Sequence, residues 1–266
     1  MTIYDDKQVG TILNRREFLK LLGAVGATVL VGCGPGQSVD EAPTSAATQA
    51  VSGGATPTLL ATAAATLPSC IVRPEMTEGP YFVDERLNRS DIRSDLSDGS
   101  VKEGVPLLLA FNVSQVTNDG CVPLAGAQVD VWHCDAFGVY SDVTDPGFST
   151  VGQKFLRGYQ VTDASGKAQF VTIYPGWYDG RTVHIHFKIR TDPDSARGYE
   201  FTSQLFFDDA LTDQVYQQAP YSSRGQRTLR NEGDNIFQNG GEQLILQLTK
   251  DGEGYAATFD VGLQMS

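Results

Sequence analysis

Val183-His184-Ile185-His186-Phe187-Lys188-Ile189-Arg190 is the stretch whose reading decides the fold. Ile185, Phe187 and Ile189 alternate with His184, His186, Lys188 and Arg190. That period of two sends successive side chains to opposite faces of a β-strand. One face is apolar and suits a core. The other carries two imidazoles at i and i+2, close enough to reach one metal ion as neighbouring ligands. A lone His-x-His is more often a solvated polar strand face, so its neighbours must decide.

The surrounding chain has the same character. Val105–Val113, Ala127–His133, Gly158–Thr162, Ala168–Ile173, Thr202–Phe207, Gln243–Leu248 and Tyr255–Val261 are short and rich in β-branched or aromatic residues. Gly, Asp, Asn and Pro separate them, as at Asn118-Asp119-Gly120 and Lys250-Asp251-Gly252. Only Ala210–Gln217 has a helical pattern. Short strands at this spacing predict a mainly β domain, a two-sheet β-sandwich with few short helices.

Two tyrosines are placed to join the histidines. Tyr178 stands six residues before His184 in Pro175-Gly176-Trp177-Tyr178-Asp179-Gly180-Arg181, a loop with glycine and proline enough to fold back over the strand's start. Tyr140 closes Val131-Trp132-His133-Cys134-Asp135-Ala136-Phe137-Gly138-Val139-Tyr140, a strand running into a glycine-bearing turn. Each alone is more often a packing residue with a bonded hydroxyl.

Together with Thr77-Glu78-Gly79-Pro80-Tyr81, these segments resemble, in order and spacing, the intradiol ring-cleavage dioxygenases, the family of protocatechuate and catechol dioxygenases. The resemblance covers roughly residues 70–207 and is looser beyond. It implies a mononuclear non-haem Fe(III) held by Tyr140, Tyr178, His184 and His186, with solvent hydroxide as fifth ligand. Phenolate is a hard anionic donor that a trivalent cation can deprotonate below its usual pKa. Two phenolates and a hydroxide neutralise three charges, so such a site can be buried. Zinc more usually recruits a third His, a Cys or a carboxylate. The resemblance further implies that a catechol-type diol binds the iron as Tyr178 departs, and that O2 opens the ring to a cis,cis-muconate-type dicarboxylic acid. Arg181 matches an arginine that stabilises charge growing on the ring, and Gln204 a glutamine beside the metal. Gly79, Pro80 and Tyr81 are expected to line the substrate pocket, whereas His133 is read as structural.

The first 68 residues are read separately. Asn14-Arg15-Arg16-Glu17-Phe18-Leu19-Lys20 precedes a short apolar run, Leu21 to Gly32, and resembles a twin-arginine export signal. Leu30-Val31-Gly32-Cys33 resembles a lipobox, so residues 1–32 are expected to be removed and Cys33 lipidated. Residues 33–68, rich in Ala, Thr, Ser, Gly and Pro, read as a tether, and 69–266 as the catalytic domain. The expected location is outside the cytoplasmic membrane, anchored to its outer face or in the cell envelope.

Net charge is −12, and losing residues 1–32, with four basic and three acidic residues, leaves −13. That balance argues against nucleic acid and against adhesion to anionic lipid other than through the anchor. Oligomeric state stays open, a homo-oligomer among the options. After Cys33 come Cys70, Cys121 and Cys134, enough for one disulfide and a spare thiol. Cys121 and Cys134 flank one expected strand, so a bridge from Cys70 to one of them is preferred.

Two other functions compete. A lipid-tethered β-sandwich that binds carbohydrate or protein accounts for tether and fold, but has no need of the four ligands together. A metal-dependent hydrolase built on His184 and His186 lacks a third ligand and a carboxylate base.

Overall fold

Alternating strands build two sheets that bury one apolar face each. The structure, a computed structural model, describes residues 71–265, which lie in one compact unit. The expected signal, lipobox and tether lie outside the described residues. Among the described residues no helix is long and apolar enough to cross a membrane.

The first sheet is built round β1 (Pro106–Thr117). β11 (Gly254–Leu263) runs parallel to it, from Leu107 opposite Tyr255 to Gln115 opposite Leu263, with β10 (Thr249–Asp251) outside. Its other edge is shared. β7 (Lys167–Ile173) pairs with Pro106–Asn112, and β2 (Gly120–Pro123) with Ser114–Thr117. The second sheet is antiparallel in the order β6 (Arg157–Val161), β3 (Gln128–Trp132), β8 (His184–Arg190) and β9 (Glu200–Phe206). A small hairpin, β4 (Thr144–Asp145) with β5 (Phe148–Ser149), stands apart, and α1 (Asp209–Val215) follows β9.

Inward residues of the two sheets meet in one core. Phe111 on β1 lies 5.2 Å from Phe187 on β8 and 6.2 Å from Phe259 on β11, centroid to centroid. Ile185, Phe187 and Ile189 enter this core, as their alternation predicts. The two-sheet sandwich is therefore the fold.

One reading is corrected and another narrowed. Gln243–Leu248 is not a strand: Gly241–Leu244 forms a 3-10 turn, and only Ile245 bridges to Phe206. Gly240 takes a left-handed φ of 110° and starts that turn, and the apolar run after it finds no continuous partner. Cys134 is a free, buried thiol, while Cys121 is disulfide-bonded to a partner outside the described residues. That removes Cys134 from the expected bridge and leaves Cys70–Cys121 untested.

The polar face of β8 is not solvated. Every residue from His184 to Arg190 is buried. The chain from Met76 to Ile92 crosses outside the second sheet and roofs it. Met76 N–H bonds Thr202 O at 2.9 Å and Tyr159 N–H bonds Leu87 O at 2.8 Å, and at the segment's end Ile92 N–H bonds Val171 O of β7, in the first sheet, at 3.0 Å. Beneath this roof Lys188 pairs with Glu78, and Arg190 with Asp84 and Asp130. Buried charges need such partners, and the pairs bind the roof to the strand that carries the histidines.

Candidate metal centre

The floor of the site is one row of residues across the second sheet. Arg157 on β6 stands opposite Trp132 on β3, Trp132 opposite His186 on β8, and His186 opposite Gln204 on β9. Directly opposed residues share a face. The Trp132 indole stacks on the His186 ring at 5.0 Å and 9° between planes, which fixes the imidazole's orientation.

His184 is oriented by hydrogen bonding. Its Nδ1 lies 2.6 Å from the carbonyl of Thr182. A carbonyl only accepts, so Nδ1 carries the hydrogen and Nε2 is a bare lone pair. Around that Nε2 stand His186 Nε2 at 3.0 Å, the Tyr178 hydroxyl at 3.2 Å and the Tyr140 hydroxyl at 3.4 Å.

The two tyrosines arrive from different loops. Asp135 Oδ1 accepts from the N–H groups of Phe137 (2.9 Å) and Val139 (3.0 Å), and Gly138 completes this turn with φ of 79°. A Cβ at Gly138 would fall 2.2 Å from Trp177 O, so only glycine lets the Tyr140 turn abut the Tyr178 loop. Tyr140 is fully buried and Tyr178 half-buried. Removal from water raises the pKa of both phenols and pushes both imidazoles well below their usual value. The imidazoles are therefore neutral, with lone pairs to give.

These residues fit a metal ion. One lone pair on His184 Nε2 faces three polar atoms and cannot satisfy them all, whereas a cation among them takes a lone pair from each. His186 Nδ1 is buried without a partner among the described atoms. Among the described residues no group of three or more His, Cys, Asp or Glu is arranged to hold a metal, so a cation here needs the tyrosine oxygens.

The remaining expected residues divide. Gly79 takes φ of 71°, and a Cβ there would lie 3.2 Å from His186 Cε1, so the Gly79 backbone passes directly over the imidazole. Tyr81 stacks on Tyr140 at 4.4 Å, stands edge-on to Tyr178 at 6.2 Å, and donates its hydroxyl to Asp145 Oδ2 at 2.6 Å. Pro80 is exposed at the turn between them. Arg181 donates to Gln204 Oε1 at 2.6 Å and to Asp234 Oδ2 at 2.8 Å, and its positive charge acts on all four ligand candidates. Gln204 in turn donates to Thr77 O at 2.8 Å.

His133 is structural, as expected. Its Nδ1–H donates to Cys134 O at 2.8 Å, and its Nε2 accepts from the Thr172 hydroxyl at 2.6 Å. Asp234 and the Thr182 carbonyl escaped the sequence reading. Asp234 is 53 residues from Arg181 with no local pattern to mark it, and a backbone oxygen leaves no trace in residue type.

A family model described as Dioxygenase matches residues 77–263. The protocatechuate 3,4-dioxygenase beta chain of Burkholderia cepacia is 29% identical over 197 residues, covering 70% of this chain and 76% of that protein. The chlorocatechol 1,2-dioxygenase of Pseudomonas putida is 28% identical over 150 residues, and the match spans about half of each protein, 49% and 52%. Among solved structures, an intradiol ring-cleavage dioxygenase from Tetranychus urticae superposes with a TM-score of 0.63 at 30% identity, over 73% of this chain and 95% of that one.

Proposed function

The chain belongs to the dioxygenase family and is an oxidoreductase of the intradiol ring-cleaving kind; on that premise we propose that Tyr140, Tyr178, His184 and His186 hold one non-haem Fe(III), and that the substrate is a catechol-type diol cleaved by O2 to a cis,cis-muconate-type dicarboxylic acid. The observation that carries this reading is the convergence of three polar atoms within 3.4 Å of His184 Nε2. Two neutral imidazoles and two phenols suit a hard trivalent cation whose charge the phenolates offset. Iron(III) bound there would supply the means to activate a bound diol toward O2, both oxygen atoms ending in the diacid.

The protein's own groups have separable tasks. His184 and His186 present fixed lone pairs, the first held by Thr182 and the second by Trp132. Buried Tyr140, covered by Tyr81, is the permanent phenolate. Half-buried Tyr178, on a loop, is the one free to swing away, and its phenolate oxygen takes up a proton from the incoming diol. Arg181, held by Asp234 and Gln204, offers a fixed positive charge where the diol's ring gathers negative charge. Gly79 and Tyr81 wall the site on the roof side and keep water from it.

Visible absorption tests the reading. Fe(III)-loaded protein is expected to show a tyrosinate-to-iron charge-transfer band that shifts on adding catechol, with a ring-cleaved diacid as product. A protein that stays colourless and inert after iron loading overturns it, and retained affinity for a sugar or protein ligand would point to a binding module.

A further inference from the structure

One group in the floor row has no part in the chemistry above. Arg157 is 3% exposed, yet no carboxylate lies within ion-pair distance of its guanidinium among the described residues. Its acceptors are neutral. Nε donates to Ser141 Oγ at 2.7 Å, Nη2 to Ser141 O, and both Nη atoms to Tyr81 O at 3.3 Å. Ser141 Oγ passes its own hydrogen to Phe155 O at 2.5 Å. Desolvation with only neutral acceptors lowers the guanidinium pKa, and Glu85, Asp142 and Tyr140 act on it only through space.

Such an arrangement is costly for packing alone, since a buried cation without a counter-charge gives up hydration that neutral acceptors only partly replace. What it joins gives it a use. Ser141 follows Tyr140 directly, and Tyr81 is the residue whose ring lies on Tyr140 at 4.4 Å. One rigid fork thus grips the backbone on both sides of that ring pair, and it does so from the same row as Trp132 and His186.

We infer that Arg157 is a positioning residue of the metal site: by gripping Ser141 and the Tyr81 carbonyl, it sets where the Tyr140 oxygen and the Tyr81 ring stand. The inference rests on Tyr140 being an iron ligand, as proposed above. Gln204, Arg181 and Asp234 brace the His186 end of the row, and Arg157 braces the Tyr140 end. The Tyr140 oxygen acts on the Arg157 guanidinium through space, so a phenolate there supplies the missing counter-charge.

The test compares folded wild type, Arg157→Met and Arg157→Lys, each loaded with Fe(III), by visible absorption and by the rate of iron loss to a chelator. In Arg157→Met the charge-transfer band is expected at longer wavelength, because the phenolate donor is no longer stabilised by a neighbouring cation. Iron should leave about ten- to a hundredfold faster, the usual cost of losing a group that orients a ligand. Arg157→Lys keeps the charge and should keep the band near its wild-type position while recovering only part of the off-rate. A lower melting temperature with the band and off-rate of wild type overturns the inference. If Arg157→Met does not fold, Ser141→Ala carries the test: it removes the Nε acceptor, and about three- to tenfold faster iron loss supports the inference, while wild-type behaviour overturns it. A wild type that never colours overturns the iron reading and this inference with it.

Discussion

A single carboxylate oxygen, Asp234 Oδ2, holds Arg181 at 2.8 Å and the Thr182 N–H at 2.7 Å, so the arginine and the start of the histidine strand are fixed by one group. Asp234 is 1% exposed, and its other oxygen caps Ile236 and Phe237. Replacing it by Ala leaves the Arg181 cation without its partner. The expected result is a loss of about 3 kcal/mol in stability and a fall in kcat larger than any change in KM, because Arg181 is needed where charge builds up. Steady-state kinetics with a denaturation curve checks both, and unchanged kcat would remove Arg181 from the mechanism.

Tyr140 and Tyr178 contact the same nitrogen but should not behave alike. Tyr140→Phe removes the buried, braced phenolate and is expected to cost more than about a hundredfold in turnover, above the cost of losing an orienting group, along with most of the charge-transfer band. Tyr178→Phe keeps a coloured, iron-binding site and loses mainly the proton acceptor, so its deficit should shrink as pH rises and more diol is already ionised. Equal loss of colour in the two variants would contradict their assigned roles.

Burial holds His133 neutral, with a pKa lowered from 6.5 to about 4. Between those values the unfolded chain binds a proton that the folded chain refuses, so stability falls as pH falls through that window. The loss from this group approaches about 3 kcal/mol near pH 4. His184 and His186, also pushed down by burial, act with the same sign in the iron-free protein. Urea unfolding of iron-free wild type and His133→Gln at pH 7 and pH 4.5 measures it. The variant is expected to be less stable at pH 7 but to lose less on acidification; parallel losses would refute the assignment.

Export and anchoring are proposed from Asn14–Lys20 and Cys33. With Arg15 and Arg16 both changed to Lys, the precursor should accumulate in the cytoplasm of an expressing bacterium. With Cys33→Ser, membrane association and incorporation of labelled fatty acid should disappear. Wild-type protein found unlipidated in the soluble fraction would rule out the anchor.

Much of the site could be read locally because its residues lie in short segments with strong geometric consequences. The alternation through His184–Arg190 placed both imidazoles on one strand face, and the glycine-bearing turns before Tyr140 and Tyr178 marked where loops could bring in phenols. Reading the same alternation as a solvated polar face would have been wrong, since a strand's period does not say what covers it. Gln243–Leu248 shows the opposite failure. Its composition suits a strand, but a strand needs a neighbour to pair with, and the chain offers it one bridge at Phe206.

The sequence by itself determined most of the sheet-forming segments and the apolar face that becomes the core, because these follow from side-chain type and short-range periodicity, while the four metal-ligand candidates came from a resemblance in motif order and spacing. Only the tertiary structure decided that the four converge, that Thr182 O leaves His184 Nε2 as a lone pair, and that Asp234 and Arg157 brace opposite ends of the site. Those contacts join segments that are distant along the chain, or use backbone atoms that every residue shares. Their positions are set by how two sheets and a roofing segment pack, which no local pattern encodes.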